Sequence, residues 1–255
     1  MTAYRYAIFF APRRDSAFWQ WGSAWLGRDA FTGETVAQPL MSGIEPDRLF
    51  QVTSEPRKYG FHGTLKPPFR LAPDTTRGML RAAVAAFAAR QLPFRLGGMK
   101  VVRIGRFLAL APVPRSRAMD ALAADAMRAF ESFRGPPTEP EFTRRRRAGL
   151  TPRQEAMLCE WGYPYVMDEF RFHLSLTGPL RPDEAASMEA AIGDRFGETL
   201  RRPVAVDCLW LFEQNRLGAQ FRAVEQHVLG APKSAPGRQD GSPACAGAAT
   251  AGRAR

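Results

Sequence analysis

Residues 57–72 read RKYGFHGTLKPPFRLA and residues 170–180 read FRFHLSLTGPL. Both stretches run Phe-His-x-hydroxyl-Leu, with His62 and Thr64 in the first and His173 and Ser175 in the second. In each, a proline break follows, then a Pro-Asp pair (Pro73-Asp74 and Pro182-Asp183) that opens a helix-period segment. Two strand-like runs succeed each helix: 94–104 with 106–112, and 203–212 with 219–224. Two copies of one order of elements imply a duplicated α+β unit rather than a solenoid, which needs many copies.

The rest of the chain is placed around these two stretches. MTAYRYAIFFAPRRD at the start is aromatic and alternating, so it reads as a strand, too short for a signal peptide or a membrane span. Asp15 or Ser16 caps a helix carrying Phe18, Trp19, Trp21, Trp25 and Leu26, closed by Gly27 and Gly33. Residues 42–58 look like loop, and 116–134 like an amphipathic helix. Between the halves lies an insertion in which Thr151 and Gln154 form a capping box with Pro152 at the first helical position. The expected fold is α+β: two pseudo-symmetric lobes, each an antiparallel sheet with flanking helices, enclosing a central cleft. Its expected bounds are 1–230, with the strand and helix in 1–30, lobe one at about 50–134, the insertion at about 135–168 and lobe two at about 169–228. Residues 231–255 have no aromatic and no large aliphatic side chain, so disorder is expected there.

The formal charge is +11, of which +3 lies in residues 231–255, leaving +8 for the expected fold. That excess favours an anionic partner such as a phosphate ester, a nucleotide or RNA, although free use of arginine would produce it too. The three cysteines form no CxxC pair, so neither a disulfide framework nor a zinc site is indicated, and a cytoplasmic location fits.

Two of only three histidines sit in His-x-[Ser/Thr]-Leu. Residues two apart on a strand share a face, so each histidine shares its face with its hydroxyl. Leu65, Leu174 and Leu176 then point into the packing layer, and Gly63 leaves that layer unfilled in the first half. Imidazole titrates near pH ~6.5, so one ring can take a proton while the other delivers one. Thr64 and Ser175 can donate to non-bridging phosphate oxygens as charge builds there. This chemistry, phosphodiester hydrolysis, calls for no metal and no cofactor. A histidine in an apolar strand is often merely structural; recurrence at matching places in a repeat argues against that.

The two stretches, with their contexts RKYGFHGTLKPPFRLA and FRFHLSLTGPL, resemble the paired H-x-[ST]-x motifs of the 2H phosphoesterase superfamily. They are closer still to its bacterial branch named for phosphonate metabolism, whose genes accompany carbon–phosphorus lyase operons. The resemblance covers about residues 1–228. It implies a bilobal fold with the site between the lobes, and catalytic roles for His62, Thr64, His173 and Ser175. It also implies hydrolysis of a cyclic ribose phosphate or a 2′,3′-cyclic nucleotide. Gly63 departs from the apolar residue usual in the superfamily.

Further substrate contacts are expected from Lys66, two residues beyond Thr64, from Tyr59 and Arg57 on the preceding run, and from Arg171, two before His173. Arg144–Arg147 read as a solvated loop, or else as a lid that draws anions inward. Trp161, Tyr163 and Tyr165 are candidates to stack a base, His227 reads as structural, and the tryptophans at 19, 21, 25 and 210 as core. The expected partner is a small phosphorylated substrate, with RNA as the alternative, no membrane, and a monomeric state. Other readings are a non-catalytic nucleotide or RNA binder, and an RNA end-processing or 2′-5′ ligase-type enzyme. The near-symmetric motifs leave open which histidine is base and which is acid.

Overall fold

The computed structural model describes residues 3–147 and 149–230. The disorder expected for 231–255 therefore lies outside the described residues. In chain order the elements are β1 (Arg5–Phe10), α1 (Ala17–Leu26), α2 (Pro46–Val52), α3 (Ser54–Arg57), β2 (Gly63–Phe69) and α4 (Arg77–Arg90). Then come β3 (Phe94–Leu96), β4 (Gly98–Ile104), β5 (Phe107–Val113), α5 (Arg117–Ala129), α6 (Glu139–Arg146) and α7 (Pro152–Trp161). The chain closes with β6 (Leu174–Ser175), α8 (Pro182–Arg201), β7 (Val204–Val206), β8 (Cys208–Gln214) and β9 (Arg222–Val228).

Local chemistry accounts for the helix ends. The Ser16 side chain accepts from the Trp19 amide, and Gly27, at φ +74°, closes α1 in the left-handed conformation. Thr76 and Ser116 cap α4 and α5 in the same way. The Thr151–Gln154 capping box opens α7 as its sequence requires. Residues 42–58, which read as loop, instead hold α2 and α3. Pro46 at the first turn and Leu49 and Val52 buried at helical spacing form α2. The segment is too short for that spacing to stand out in the sequence.

Seven strands form one antiparallel sheet in the order β4-β5-β6-β2-β1-β8-β9, and β3 pairs with β7 in a second sheet of two. The α+β class, antiparallel strands and flanking helices match the expectation. The two half-sheets, however, join edge to edge where β2 meets β6 at Gly63–Leu174. A pseudo-dyad at this point matches β1 with β5, β2 with β6, α4 with α8, β3 with β7 and β4 with β8. The repeat is thus 5–104 and 107–214, and its last strands are exchanged: β4 pairs with β5, and β8 pairs with β1. The lobes expected as contiguous stretches at 50–134 and 169–228 are corrected accordingly. Strand 107–113 belongs to the second copy, because it stands beside β6 as β1 stands beside β2.

One sheet face packs on α4, α5 and α8 through Ile8, Phe10, Leu110, Leu174, Leu80, Val84, Leu122, Met188 and Ile192. The opposite face carries Phe9, Trp210, Phe212 and Phe221 over Trp19 and Ala30. Alternation along β1 splits Phe9 from Phe10 between these layers. Gly63 does not leave a gap: a Cβ there would lie 2.3 Å from the Phe172 ring, which fills the space and meets Phe10 edge-on at 5.7 Å. Among the described residues no helix is long and apolar enough to cross a membrane.

Gly63→Ala should therefore destabilise the fold by about 1–3 kcal/mol through overpacking against a core ring. Phe172→Leu should relieve most of that cost in the double variant. Urea unfolding of the three variants checks this; a neutral Gly63→Ala would show that Phe172 is free to move.

Candidate active site

Pairing of Gly63 with Leu174 sets the geometry. In an antiparallel register through this pair, His62 stands across from Ser175 and Thr64 across from His173. Because Gly63 and Leu174 face the helices, all four polar side chains face the other way, into a cleft of about 810 Å³ that they help to line. The expected quartet is brought together on one sheet face.

Each imidazole is oriented by the same device. His62 Nδ1 lies 2.8 Å from the Gly60 carbonyl oxygen, and His173 Nδ1 lies 2.8 Å from that of Arg171. A carbonyl only accepts, so Nδ1 carries the hydrogen and Nε2 is left for the cleft. Gly60 can aim its carbonyl this way because it has φ +85°, and its missing Cβ makes room for Ala30, which one would approach to 2.3 Å. The Thr64 hydroxyl lies 3.5 Å from His62 Nε2.

The two rings differ in their surroundings. His62 stacks on Phe9 with centroids 3.9 Å apart and has Tyr59 and Phe212 nearby. Burial lowers its pKa to about 4, against the raising effect of the Gly60 bond, and His173 lowers it further. His173 has Phe107 at 5.8 Å, and its pKa is lowered by burial while the Arg171 bond opposes the shift.

Around this floor stand five guanidinium groups, Arg5, Arg106, Arg144, Arg145 and Arg171. None of the five ion-pairs with a carboxylate among the described residues; Arg5 and Arg145 are half-buried, and Arg106, Arg144 and Arg171 are exposed. The single carboxylate lining the cleft, Glu169, accepts from Gln154 at 2.9 Å. The site is strongly biased toward anions. Arg145 lies 4.5 Å over the Tyr163 ring, and burial pulls its pKa down. Thus Arg144 and Arg145 belong to a helix at the cleft wall rather than to a solvated loop. Arg5, Arg106, Phe9 and Phe107 were not expected at the site. Only strand pairing, which brings β1 and β5 beside the two motifs, places them there.

Of the four substrate contacts expected, Tyr59 and Arg171 line the cleft, as do Tyr163 and Tyr165, while Trp161 does not. Lys66 is corrected. Phe9 pairs with Thr64 but Ile8 pairs with Lys66, so Leu65 is an extra, bulged residue. The bulge inverts the alternation and turns Lys66 under the helices, where Nζ is buried and donates to the Met127 carbonyl and to Glu131. Arg57 is corrected too. It ends helix α3, not an extended run, and donates to the Leu26 and Phe50 carbonyls, each at 2.6 Å. His227 is buried on β9, 3.7 Å from Glu225, and Trp19, Trp25 and Trp210 are core. Among the described residues no cluster of three His, Cys, Asp or Glu could hold a metal ion.

A family described as Protein of unknown function (DUF1045) matches residues 64–222, and the chain belongs to that family. The match includes Thr64, His173 and Ser175 and starts two residues after His62. The chain is 38% identical over 221 residues to a protein of Janthinobacterium sp. (strain Marseille) named ribose 1,5-bisphosphate phosphokinase PhnN. It is 35% identical over 219 residues to a protein of the same name from Laribacter hongkongensis (strain HLHK9). These alignments cover 85% and 86% of this chain but 49% and 50% of the relatives, so the chain spans about half their length. Among solved structures it is similar to E. coli LigT complexed with 3′-AMP, at TM-score 0.41 and 12% identity over 90% of this chain and 99% of that one. A second, titled as a phosphoesterase, aligns at TM-score 0.36 and 14% identity over 67% and 78% of the two chains.

A depressed histidine pKa also shapes stability. Between pH 6.5, the ordinary value, and about 4 the unfolded chain binds a proton that folded His62 refuses. Folding free energy should therefore fall as pH drops through that window, and fall less in His62→Gln. Urea titrations at stepped pH test this; equal slopes in the two proteins would mean that His62 is not desolvated.

Proposed function

We propose that this protein hydrolyses a cyclic phosphodiester by histidine acid–base catalysis, as the 2H phosphoesterase motifs imply. The observation that carries this reading is the pair of imidazoles on adjoining antiparallel strands, each with Nδ1 tied to a carbonyl and Nε2 left toward one cleft. His62, held neutral by its apolar surroundings, is the base: Nε2 takes a proton from water as the oxygen bonds to phosphorus. His173 is the acid: protonated at Nε2, it gives that proton to the ring oxygen as its bond to phosphorus breaks. A phosphomonoester and a free hydroxyl result. Thr64 and Ser175 donate to the non-bridging oxygens, and the arginines offset the charge that grows on them.

For the substrate we favour a cyclic phosphate of ribose. The relatives' name concerns a ribose bisphosphate, and half of each relative corresponds to this chain. No G-x-x-x-x-G-K-[ST] stretch occurs in the 255 residues, so phosphate-loop kinase chemistry is not what this half supplies. Five guanidiniums without a carboxylate partner among the described residues exceed the need of one cyclic diester, which points to a second anionic group on the sugar. Tyr59, Tyr163 and Tyr165 at the cleft favour a second reading, a 2′,3′-cyclic nucleotide or RNA end, either turned over or simply bound.

Phosphorus NMR on a panel of cyclic ribose phosphates and cyclic nucleotides, with EDTA present, separates these readings. His62→Ala and His173→Ala should each lower kcat by roughly 10²–10⁴. The kcat/KM profile should be bell-shaped with its optimum below neutrality. Its acid limb is set by His62 at about 4, its alkaline limb by His173, which loses its proton below the ordinary 6.5. Tight nucleotide binding with no turnover of any member would favour a binder and sink the hydrolase.

A further inference from the structure

β2 presents its reactive residues to the cleft, and two cations lie beyond it: Lys66 reaches from its other side to Met127 of α5 and to Glu131, and Arg70 reaches from its end to the inserted helix α6. We propose that Lys66 and Arg70 are positioning residues that fix the α6–α7 wall of the cleft relative to His62 and Thr64. For its kinetic readout this rests on the hydrolase reading above.

Arg70 follows directly on β2 and makes a forked pair with Glu141 of α6, Nη1 to Oε1 at 3.0 Å and Nη2 to Oε2 at 3.1 Å. The same Oε2 accepts from the Thr138 amide at 2.8 Å, so one carboxylate both caps α6 and ties it to the catalytic strand. Arg144 and Arg145 follow Glu141 by three and four residues, hence on its side of the helix. Anchoring Glu141 thereby sets where those guanidiniums meet the cleft.

Lys66 builds the second tether. Its buried Nζ pairs with Glu131, whose other oxygen accepts from Arg134 Nε at 2.8 Å. Arg134 then donates to the Glu160 carbonyl at the end of α7, at 3.3 Å. Its guanidinium sits flush against Gly162, where a Cβ would come within 2.9 Å, and Tyr163 is the next residue. Exposed ion pairs contribute little to stability, but forked or buried ones specify geometry. The groups these tethers place, Arg144, Arg145 and Tyr163, line the cleft without reacting, so their displacement weakens substrate binding rather than the chemical step.

The test is a charge-swap cycle, Arg70→Glu, Glu141→Arg and the double variant, with Glu131→Gln as a milder probe of the second tether. Each single swap should raise KM for the cyclic phosphate about tenfold with kcat within about twofold, and the double should return toward wild type. Amide hydrogen exchange should quicken in 139–146 for the swaps and in 160–165 for Glu131→Gln, with β2 and β6 unchanged. Unaltered exchange and KM in the variants would overturn the proposal. So would a double variant no better than the singles, or exchange that quickens throughout the sheet. A wild-type protein that turns over no cyclic phosphate defeats the hydrolase reading instead, and the exchange data then decide the tethers alone.

Discussion

β2 and β6 pair at Gly63–Leu174, on a β6 only two residues long, yet the arrangement of the cleft floor depends on that contact. Side-chain direction on a strand has period two, so a slip of one residue would send a histidine and its hydroxyl to the helix face. So short a strand cannot hold a register by hydrogen bonds alone. Phe172 supplies the missing specificity: its ring occupies the hole left by Gly63 and abuts Phe10, so a shifted β6 would drive it into backbone. Gly63 is therefore half of a lock-and-key contact across the pseudo-dyad. β6 also ends early enough to free one edge of β2, where Pro67 and Pro68, which cannot donate to a neighbour, border the cleft.

The grouping of His62, Thr64, His173 and Ser175 was legible in the sequence because it depends only on period-two alternation within four residues and on the repeat. The helix caps were legible for the same reason: Ser16, Thr151 and Gln154 act on their immediate neighbours. Lys66 misled because alternation was carried through Leu65, and a bulge leaves no residue signature when its extra member is an ordinary leucine. Arg57 misled because a four-residue helix has too little periodicity to betray itself beside a motif. The exchanged strands were hidden for a different reason. Two halves of similar order look like two contiguous lobes, and only the sheet order shows that strand 107–113 partners the second motif.

The inserted segment shows how local and non-local information divide. Its helices follow from Pro, Thr, Glu and Gln at starting positions. Their attachment to the rest of the fold comes from long-range pairs, Arg70 with Glu141 and Arg134 with Glu160, which join residues 71 and 26 positions apart. A run of arginines therefore looks like solvated charge in the sequence. In the fold, part of it faces the site while Arg146 is neutralised by Glu155.

The pseudo-dyad also explains why near-identical motifs come to hold unequal histidines. Thr64 corresponds to Ser175, and their partners in the neighbouring strands are Phe9 and Ala109. Phe10 corresponds in the same way to Leu110, opposite Gly63 and Leu174. The two copies thus differ at this position: the Phe9 ring lies against His62, and the equivalent residue, beside Ser175, is Ala109. An aromatic face offers an imidazolium no hydrogen bond at its ring edge and displaces the water that would, so the charged form is penalised more on the first side. That side also has Tyr59 and Phe212 near the ring, whereas the other has Phe107 at 5.8 Å, with Arg171 and Arg106 also lining the cleft. A single difference between equivalent strands is thus enough to give the two imidazoles unequal surroundings. No spacing within either motif could have shown it, because Phe9 and Ala109 become equivalent only once the sheet has assembled.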